Sequence, residues 1–497
     1  MNKDIMKRYL ILAMSGVLMT SCLDTIVLPV DKVIEEDFWQ NRTDVSSMVN
    51  GAYAAMTSEA VMERMIVWGE LRGDNVNPTA NLSTTKAGID EINMLNMDDK
   101  NTYTDWAGFY NVINRCNLVL AHAEEVMNND PSYSKGNFNT DRSQMLALRA
   151  LAHFYLVRAF RDVPYCNTAY QYSSQEMELP QLAPDSVLQL CINDLLEAEP
   201  IGLEPGGYSD WRGKGLVNKD AIRAILADVY LWRASMTGNA EDYRQCAYWC
   251  QKVIDSKTAL VDATRLSFGT SSLLEDAPLY LYNQAFNQIF VGTGNSVESI
   301  FELQLNGGYV ANTAVRGLYF QYRENQTPGF LVASQMMGKC GGKQDGLGTE
   351  EPFASRNDVR FWESCYAVDN ADADAFYIRK MVTALNSRSK FEQKAYAVTG
   401  KERETVYARF AQNWILYRIT DVMLMKAEAL VQLAEDGATI SADTNLKEAF
   451  DLVSLVYKRS LADEADVLQQ NNYNSKDLME RLVLAERQRE LCFEGKR

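Results

Sequence analysis

The two stretches LAHFYLVRA at positions 151–159 and LADVYLWRA at 226–234 decide the fold of this chain. Placed over each other, they share leucine, alanine, tyrosine, leucine, arginine and alanine at the same positions. Their apolar residues recur every three or four positions, which predicts that each stretch forms part of an amphipathic α-helix. The chain therefore carries an internal helical repeat.

The shared Leu-Ala-x-x-Tyr core is typical of the first helix of a tetratricopeptide unit, in which a small alanine lets the partner helix approach. After the second copy, Cys246, Cys250 and Val253 stand where such units place small and bulky packing residues. The two thiols are therefore predicted to pack in the core rather than to bind metal, because no histidine lies nearby. The repeats are not evenly spaced, so we expect helical hairpins separated by insertions.

Helical periodicity extends over most of the chain. The predicted helices are 44–57, 106–127, 143–161, 184–198, 218–235, 241–255, 414–433, 445–460 and 476–494. The tract 257–410 is rich in glycine, asparagine and aromatic residues and has one clear strand pattern, at 299–305. Irregular tracts of this length are usually functional. The predicted fold is mainly α: a tetratricopeptide-like scaffold of helical hairpins, with a large irregular, loop-rich ligand subdomain and little β structure.

The first residues have the pattern of a lipoprotein signal peptide. Three basic residues precede an apolar run at 9–19, and Cys22 follows two small residues. Such a run is too short to span a membrane but is typical of a cleaved secretory signal. Acylation of Cys22 would then anchor the protein through lipid. The predicted organisation is a signal peptide at 1–21, an N-terminal helical region at 22–256, an irregular ligand-binding insertion at 257–410 and a C-terminal helical region at 411–497.

The charge and the histidine content narrow the functional classes. The chain has 49 lysines and arginines against 66 aspartates and glutamates, a formal net charge of −17. This balance disfavours nucleic acid as a partner, because nucleic-acid binding needs a positive surface. Only two histidines exist, His122 and His153, each inside a helical pattern. No serine-hydrolase, zinc-hydrolase or phosphate-binding motif occurs, so structural histidines and a non-enzymatic role are predicted.

Short motifs stand in a characteristic order along nearly the whole chain. They are the cysteine motif at Cys22, Phe38-Trp39, Asp44, Asn50-Gly51-Ala52-Tyr53, 71–75 (LRGDN), Tyr110, Ile113, Asn114, Asn117, Arg149-Ala150-Leu151-Ala152, Asp162-Val163-Pro164, 218–231, 417–421 (YRITD), Ala427-Glu428-Ala429, Glu486-Arg487, Glu490-Leu491 and Phe493-Glu494-Gly495. In this order they resemble the SusD/RagB family of outer-membrane nutrient-binding lipoproteins.

The resemblance implies a cell-surface protein, lipid-anchored in the outer membrane, that binds oligosaccharide or another nutrient. It also implies a partner, a TonB-dependent SusC-like transporter that receives the ligand. Two features depart from the family pattern. At 454–460 the family usually has an Asn-x-Val-Arg-x-Arg-Ala run, and here Ser454, Tyr457 and Ser460 replace three of its residues. The chain also stops at Lys496-Arg497, where family members continue. A C-terminally shortened family member is therefore expected.

A glycan site needs exposed aromatic rings, which stack on the apolar faces of sugars, beside planar polar groups for the hydroxyls. The predicted ligand-binding residues are Tyr309, Tyr319, Phe320, Tyr322, Arg323 and Asn325 in the irregular tract, Arg72, Asp74 and Asn75 after an early helix, and Trp211 in a glycine-rich loop. For each residue taken singly, ordinary packing is the competing explanation, because many aromatic rings lie in cores. The tryptophans predicted to be structural, because they lie in helical patterns, are Trp39, Trp106, Trp232 and Trp249.

Three alternatives stay open from the sequence. Asp369, Asp372 and Asp374 could hold calcium, but the glycine and distal glutamate of an EF-hand loop are missing, so a solvated acidic loop is favoured and no cofactor is predicted. A surface glycoside hydrolase with two carboxylates is possible by composition, although no βα alternation would present them. A tetratricopeptide scaffold that binds only another protein is the third.

Overall fold

The computed structural model describes residues 38–79, 87–172, 174–268, 272–291, 294–305, 311–319, 329–341, 351–366, 376–384, 406–407 and 412–496. The fold is mainly α-helical. The α-helices are α1 Arg42–Met56, α2 Glu59–Glu70, α3 Ala87–Asn93, α4 Ala107–Asn129, α5 Lys135–Phe160, α6 Pro184–Ile201, α7 Arg212–Gly215, α8 Lys219–Thr237, α9 Ala240–Phe268, α10 Tyr282–Phe286, α11 Thr313–Tyr319, α12 Val359–Ser364, α13 Ile419–Leu433, α14 Thr444–Lys458 and α15 Lys476–Leu491.

The strands are short and form antiparallel pairs. They are β1 Val76–Pro78, β2 Val163–Pro164, β3 Gln181–Leu182, β4 Ser299–Leu303, β5 Leu331–Ala333, β6 Cys365–Tyr366, β7 Tyr377–Ile378, β8 Thr383–Ala384, β9 Val406–Tyr407 and β10 Trp414–Arg418. The pairs are β1 with β5, β2 with β3, β4 with β10, β6 with β7 and β8 with β9. Little β structure was predicted, and that prediction is confirmed.

Both copies of the repeated motif are helical, one in α5 and the other in α8. Leu151, Ala152, Leu226 and Ala227 are all buried. Helix α5 packs between α4 and α6, whereas α8 and α9 form a hairpin that packs against α13. The small alanines allow this close packing, and the predicted scaffold of tetratricopeptide-like hairpins is confirmed.

The two cysteines of α9 are part of this packing. Cys246 and Cys250 are fully buried, and their Sγ atoms lie 4.0 Å apart as free thiols. The Cys246 thiol also approaches the Met425 carbonyl of α13, at 3.8 Å. They behave as small apolar residues at a helix–helix contact, as predicted.

Polar residues and glycines set the ends of the scaffold helices. Asn41 caps α1 in a reciprocal capping box with Asp44. Asn218 caps α8 by accepting a hydrogen bond from the Ala221 N–H, and Gly238 ends that helix in the left-handed conformation, with φ 71°. Pro184 occupies the first turn of α6, where its missing N–H costs nothing.

Two predicted helix boundaries are wrong. The stretch 414–433 was expected to be one helix, but 414–418 forms β10 and α13 begins at Ile419. Every residue of β10 and of its partner β4 is buried, and a continuous apolar run does not distinguish a strand from a buried helix. Helix α9 also continues to Phe268, whereas the predicted helix ended at 255.

A buried cluster of ion pairs holds α15 in place. The Glu490 carboxylate contacts the guanidinium groups of Arg360, Arg418 and Arg459. Burial alone would raise the pKa of Glu490, but these cations hold it well below its usual value. Removing one member of such a cluster would leave an uncompensated buried charge. The Glu490 motif, which contributed to the family resemblance, therefore has a structural role.

The end of α2 rests on the C-terminal turn. A Cβ atom on Gly69 would lie 2.2 Å from the Gly495 carbonyl oxygen, so only glycine allows this approach. The next residue, Glu70, accepts a hydrogen bond from the Gly495 N–H at 2.8 Å, and burial raises the pKa of its carboxyl to about 7. This contact places the turn at 72–75 beside α15.

Candidate functional site

Two aromatic rings are exposed in the loop that leads into α8. Trp211 is 51% exposed and Tyr208 is 37% exposed. The Arg212 guanidinium lies over the Tyr208 ring, 4.3 Å from its centroid, and makes two parallel contacts with the Asp210 carboxylate, at 3.0 and 2.8 Å. Hydrogen bonding from Arg212 lowers the pKa of Asp210. The two exposed rings therefore lie beside the Arg212–Asp210 ion pair.

The backbone of this loop is fixed from several sides. The Trp211 carbonyl accepts hydrogen bonds from the Lys214 and Gly215 N–H groups, at 3.1 and 2.7 Å. A Cβ atom on Gly213 would lie 2.6 Å from the Tyr208 carbonyl oxygen, and the Asn218 side chain donates to the Gly213 carbonyl at 3.1 Å. Because the loop is tied to the start of α8, the Trp211 ring has a rigid support.

Gly215 connects the loop to the end of β4. A Cβ atom at this position would lie 2.4 Å from Cγ of Gln304 and 3.0 Å from Cε3 of Trp211. The missing side chain lets both groups pack against the same backbone atom. The exposed tryptophan ring and the Gln304 amide are therefore neighbours.

Gln304 belongs to a cluster of amide side chains. It exchanges two hydrogen bonds with Asn295, at 3.0 and 2.9 Å, and accepts one from Asn413 at 3.1 Å. The buried Glu302 carboxylate accepts from the Asn413 amide at 2.8 Å and from the Asn295 N–H at 2.7 Å. The amide planes are thus held in fixed orientations.

The turn that presents Asn295 has an uncommon backbone conformation. Gly294 has φ 82° and Asn295 has φ 61°. A Cβ atom on Gly294 would lie 2.4 Å from Nδ2 of Asn413, so glycine is required there, whereas asparagine is one of the few other residues that tolerate the left-handed region. Such strained positions are concentrated at functional sites.

We call Tyr208, Trp211, Arg212, Asn295 and Gln304 the Trp211 surface. It combines exposed aromatic faces with oriented amides and a guanidinium. Such a set can stack on the apolar face of a ring-shaped ligand and bond to its hydroxyl groups. Trp211 was predicted from the sequence as a ligand-binding residue, and the structure exposes its ring on a rigid loop.

The predicted residues after α2 lie elsewhere. Arg72 and Asp74 are exposed, whereas Asn75 is buried. The Gln488 amide of α15 donates to Asp74 at 3.2 Å and to Asn75 at 3.0 Å. Asn75 lines a cleft of about 270 Å³ that also borders α15. Of the three predicted residues, Asn75 lines the cleft and Asp74 is joined to it through Gln488, whereas Arg72 is exposed on the same turn; all three lie on other elements than Trp211.

The prediction for Tyr319 needs correction. Its ring is fully buried and packs edge-on against Phe493, with centroids 6.4 Å apart, so it cannot stack on a ligand. The reason is its place in α11, which packs against α2. The predicted residues that lie outside the described part of the chain are Cys22, Tyr309, Phe320, Tyr322, Arg323, Asn325, Asp369, Asp372 and Asp374.

Both histidines have structural contacts. The His153 Nδ1–H donates to the Arg149 carbonyl at 3.0 Å, and its Nε2 accepts from the Cys166 N–H at 3.1 Å. Burial lowers the pKa of His153 to about 3, so the ring is neutral at physiological pH. His122 stacks on Trp39, with centroids 4.8 Å apart. The predicted structural role fits both residues.

Sequence reasoning missed Tyr208, Asn295, Gln304 and Asn413. Asn413 is separated from Asn295 by more than a hundred positions, and only the β4–β10 pairing brings them together. A usable signal was present in the Gly294-Asn295 pair, since such dipeptides mark turns that need left-handed backbone.

The described residues offer neither a helix that could span a membrane nor a metal-ligand cluster. Among these, no helix combines the length and the hydropathy needed to cross a membrane. Within the same ranges, no group of three or more histidine, cysteine, aspartate or glutamate side chains is arranged to hold a metal ion.

Two family models match the chain. One, described as the SusD family, matches residues 367–497. The other, described as starch-binding associating with outer membrane, matches residues 28–231. The chain is also similar to SusD-like protein P38 of Formosa agariphila, with 26% identity over an alignment that covers all of this chain and 90% of that protein.

Solved structures share the fold at lower identity. A SusD superfamily protein from Bacteroides thetaiotaomicron is 17% identical with a TM-score of 0.64, over 92% of this chain and 87% of the other. NanU of Bacteroides fragilis is 19% identical with a TM-score of 0.63, over 95% and 91%. A laminarin-binding SusD-like protein is 19% identical with a TM-score of 0.63, over 92% and 90%.

Proposed function

The chain belongs to the SusD/RagB family, and from that premise we propose that it binds nutrient glycans at the cell surface without cleaving them. The Trp211 surface is the proposed binding site. The observation that carries this proposal is the half-exposed Trp211 ring on a rigid loop beside the Gln304 amide. The laminarin-binding relative supports a glycan as the ligand class.

The chemistry of the Trp211 surface suits a sugar better than a small anion. The Arg212 charge is already matched by Asp210, which leaves the surface without a strong excess of positive charge. The rings offer apolar area to C–H faces, and the half-buried Asn295 amide, which Gln304 holds in place through one donor and one acceptor, can both donate and accept a further hydrogen bond. Hydroxyl groups need both functions.

Attachment and delivery complete the proposal. We propose that Cys22 is acylated and anchors the protein in the outer membrane, facing the exterior, and that a TonB-dependent SusC-like transporter receives the ligand. Replacing Cys22 by serine is expected to abolish incorporation of labelled palmitate and to release the protein from the membrane fraction. Capture of the transporter from detergent-solubilised outer membrane by the wild-type chain is expected, and its absence would refute the transporter part.

Glycan-array screening of the purified chain tests the binding function directly. Calorimetry with the best array ligand should then show roughly tenfold or greater loss of affinity in Trp211→Ala, because stacking aromatic residues dominate such sites. Tyr248→Ala is the matched control, since Tyr248 is an exposed aromatic residue, 50% accessible, on α9. Wild-type affinity in a folded Trp211→Ala variant would remove the Trp211 surface from the site. Shortened glycan products after incubation would contradict the non-enzymatic role.

A further inference from the structure

The cleft beside the 72–75 turn is a second concave site, separate from the Trp211 surface. Its volume of about 270 Å³ lies near the lower end of the range for small-molecule sites, about 300–1,000 Å³. It opens between α5, α8, α13 and α15. The lining residues that matter here are Asn75, Arg158, Asp228, Trp232, Asp421 and Arg487.

Much of the charge in the cleft is internally paired. Asp421 lies 2.9 Å from the Lys496 ammonium and 3.4 Å from the Arg487 guanidinium, and Arg487 also reaches Glu428 at 3.5 Å. Burial alone would raise the pKa of Asp421, but Lys496 and Arg487 hold it below its usual value. The charges of these four groups therefore compensate one another on one side of the cleft.

Arg158 is different, because aromatic rings hold its guanidinium in place. The rings of Phe154, Tyr155 and Trp232 each have their centroid 5.4 Å from it. Within the described part of the chain, its N–H groups donate no hydrogen bond and no carboxylate lies within ion-pair distance. A positioned guanidinium with open donors therefore borders the cleft.

The second copy of the repeated motif shows that the motif itself does not leave its arginine without a hydrogen-bond acceptor. Arg233 occupies the equivalent position in the second copy, and it lies over the Tyr230 ring as Arg158 lies over Tyr155. However, Arg233 binds the Asp242 carboxylate through two contacts, at 2.7 and 2.6 Å. At the first copy no described residue supplies such an acceptor to Arg158.

Two further groups face the same space. One Asp228 oxygen accepts the Tyr417 hydroxyl at 2.7 Å, and its other oxygen accepts no hydrogen bond from the described residues. The Trp232 ring is 36% exposed, so the structural role predicted for it covers only part of its surface. An aromatic face, an open donor and an open acceptor thus line one cleft.

We propose that this cleft is a second saccharide subsite, which takes one neutral sugar ring. The ring stacks on Trp232, one hydroxyl accepts hydrogen bonds from Arg158, and another donates to Asp228. The inference rests on the proposed glycan function, but it uses none of the residues of the Trp211 surface. The 72–75 turn, through Asn75, forms its rim.

A neutral ring fits the cleft better than an acidic sugar. A carboxylate would satisfy Arg158 but would also meet the Asp228 carboxylate, which makes no ion pair within the described ranges, across a cleft whose other charges balance. A sugar with adjacent hydroxyl groups satisfies the donor and the acceptor together, because each hydroxyl can both donate and accept. The two open groups therefore select the neutral ligand.

Saturation-transfer NMR on the full chain tests the proposal, with methyl glucoside, methyl galactoside and methyl mannoside as neutral probes and glucuronic and galacturonic acids as acidic probes. The measurement is made in Trp211→Ala, so that a signal reports the cleft. At least one neutral probe is expected to bind, with roughly tenfold weaker affinity in Arg158→Met and in Trp232→Leu. Arg244→Met, at an exposed arginine of α9, is the control.

Thermal unfolding of each variant separates lost binding from lost folding. Ser235→Phe, which narrows the mouth of the cleft without removing a proposed contact, is expected to weaken binding as well. Probe binding that is seen in the wild-type chain but is absent in Trp211→Ala, or that Arg158→Met leaves unchanged in the Trp211→Ala background, would overturn the subsite and leave the proposed function standing. Binding of the acidic probes alone would overturn the neutral-sugar assignment. No binding of any probe here, with wild-type binding on the glycan array, would also overturn it.

Discussion

Helices α5 and α8 carry the same motif but use one of its residues in different ways. In both copies the leucine and first alanine are buried against a partner helix. In both, the arginine lies about 5.4–5.5 Å from the centroid of the tyrosine three positions earlier. The repeated leucine, alanine, tyrosine and arginine therefore make similar contacts in the two copies.

The surroundings of the arginine differ. In α8 the hairpin turns directly into α9, whose first turn supplies Asp242 to Arg233. Helix α5 is followed by the short strand β2 instead, and Arg158 borders the cleft. The repeated sequence thus fixes the scaffold, while the elements that follow each copy decide which charged group stays available for a ligand.

The largest expected effect comes from removing the acceptor in the second copy. Asp242→Ala should lower the free energy of unfolding by about 3 kcal/mol, because the largely buried Arg233 guanidinium loses its two-contact carboxylate and keeps the Gln189 amide oxygen at 2.6 Å and the exposed Asp185 carboxylate 4.0 Å away. Urea denaturation measures this loss. Asp262→Ala is the control, since its pair with Arg265 is half exposed and should contribute less than about 1 kcal/mol. Equal losses would mean that Arg233 is not held by Asp242.

A second change tests whether the packing of the two copies is equivalent. Ala152→Leu and Ala227→Leu each add volume at a fully buried helix–helix contact, and each should cost about 2 kcal/mol through overpacking. Thermal unfolding of the two variants should show similar losses. If one copy accepted leucine without loss, the shared motif would not be packing in the same way.

A third difference between the copies is pH-dependent. The position of His153 in α5 is occupied by Asp228 in α8. Because burial lowers the pKa of His153 to about 3, against about 6.5 in an unfolded chain, the unfolded state alone takes up a proton as the pH falls below 6.5. The stability supplied by neutral His153 is complete above pH 6.5 and is lost progressively toward pH 3.

Replacement by glutamine removes this titration. The stability difference between wild type and His153→Gln should shrink by about 1 kcal/mol when the pH is lowered from 6.5 to 5.5. Urea denaturation at the two pH values measures it. A difference independent of pH would contradict the neutral, doubly hydrogen-bonded ring.

The scaffold was predictable from the sequence because a helix in a hairpin shows its buried face as a period of three to four residues. Strand β10 was not predictable from the sequence, because a stretch that is buried on all sides shows no periodic alternation of apolar and polar residues. Among the site residues, Trp211 could be found from its glycine-rich loop, which excludes it from a helical face. Tyr319 could not be classified, because aromatic residues occur both in cores and at binding surfaces.

The amide cluster shows a different limit. Asn295, Gln304 and Asn413 become one group only through the β4–β10 register, in which Trp414 pairs with Leu303. No local pattern carries that register. The exposure of Trp232 was likewise not predictable from local sequence. Its position in a helical pattern predicted packing, whereas its exposed face depends on how α15 is placed relative to α8.

The smallest expected effect on stability is that of replacing Arg158, and it distinguishes the two arginines of the repeat most directly. Arg158→Met should change the free energy of unfolding by less than about 1 kcal/mol, because the methionine side chain can keep the apolar contacts with the surrounding rings and no hydrogen bond is lost. Arg233→Met should cost about 2 kcal/mol or more, since it strands the buried Asp242 carboxylate. Thermal unfolding of the pair measures both. Equal costs would mean that Arg158, like Arg233, is held by the protein itself and is not free to meet a ligand.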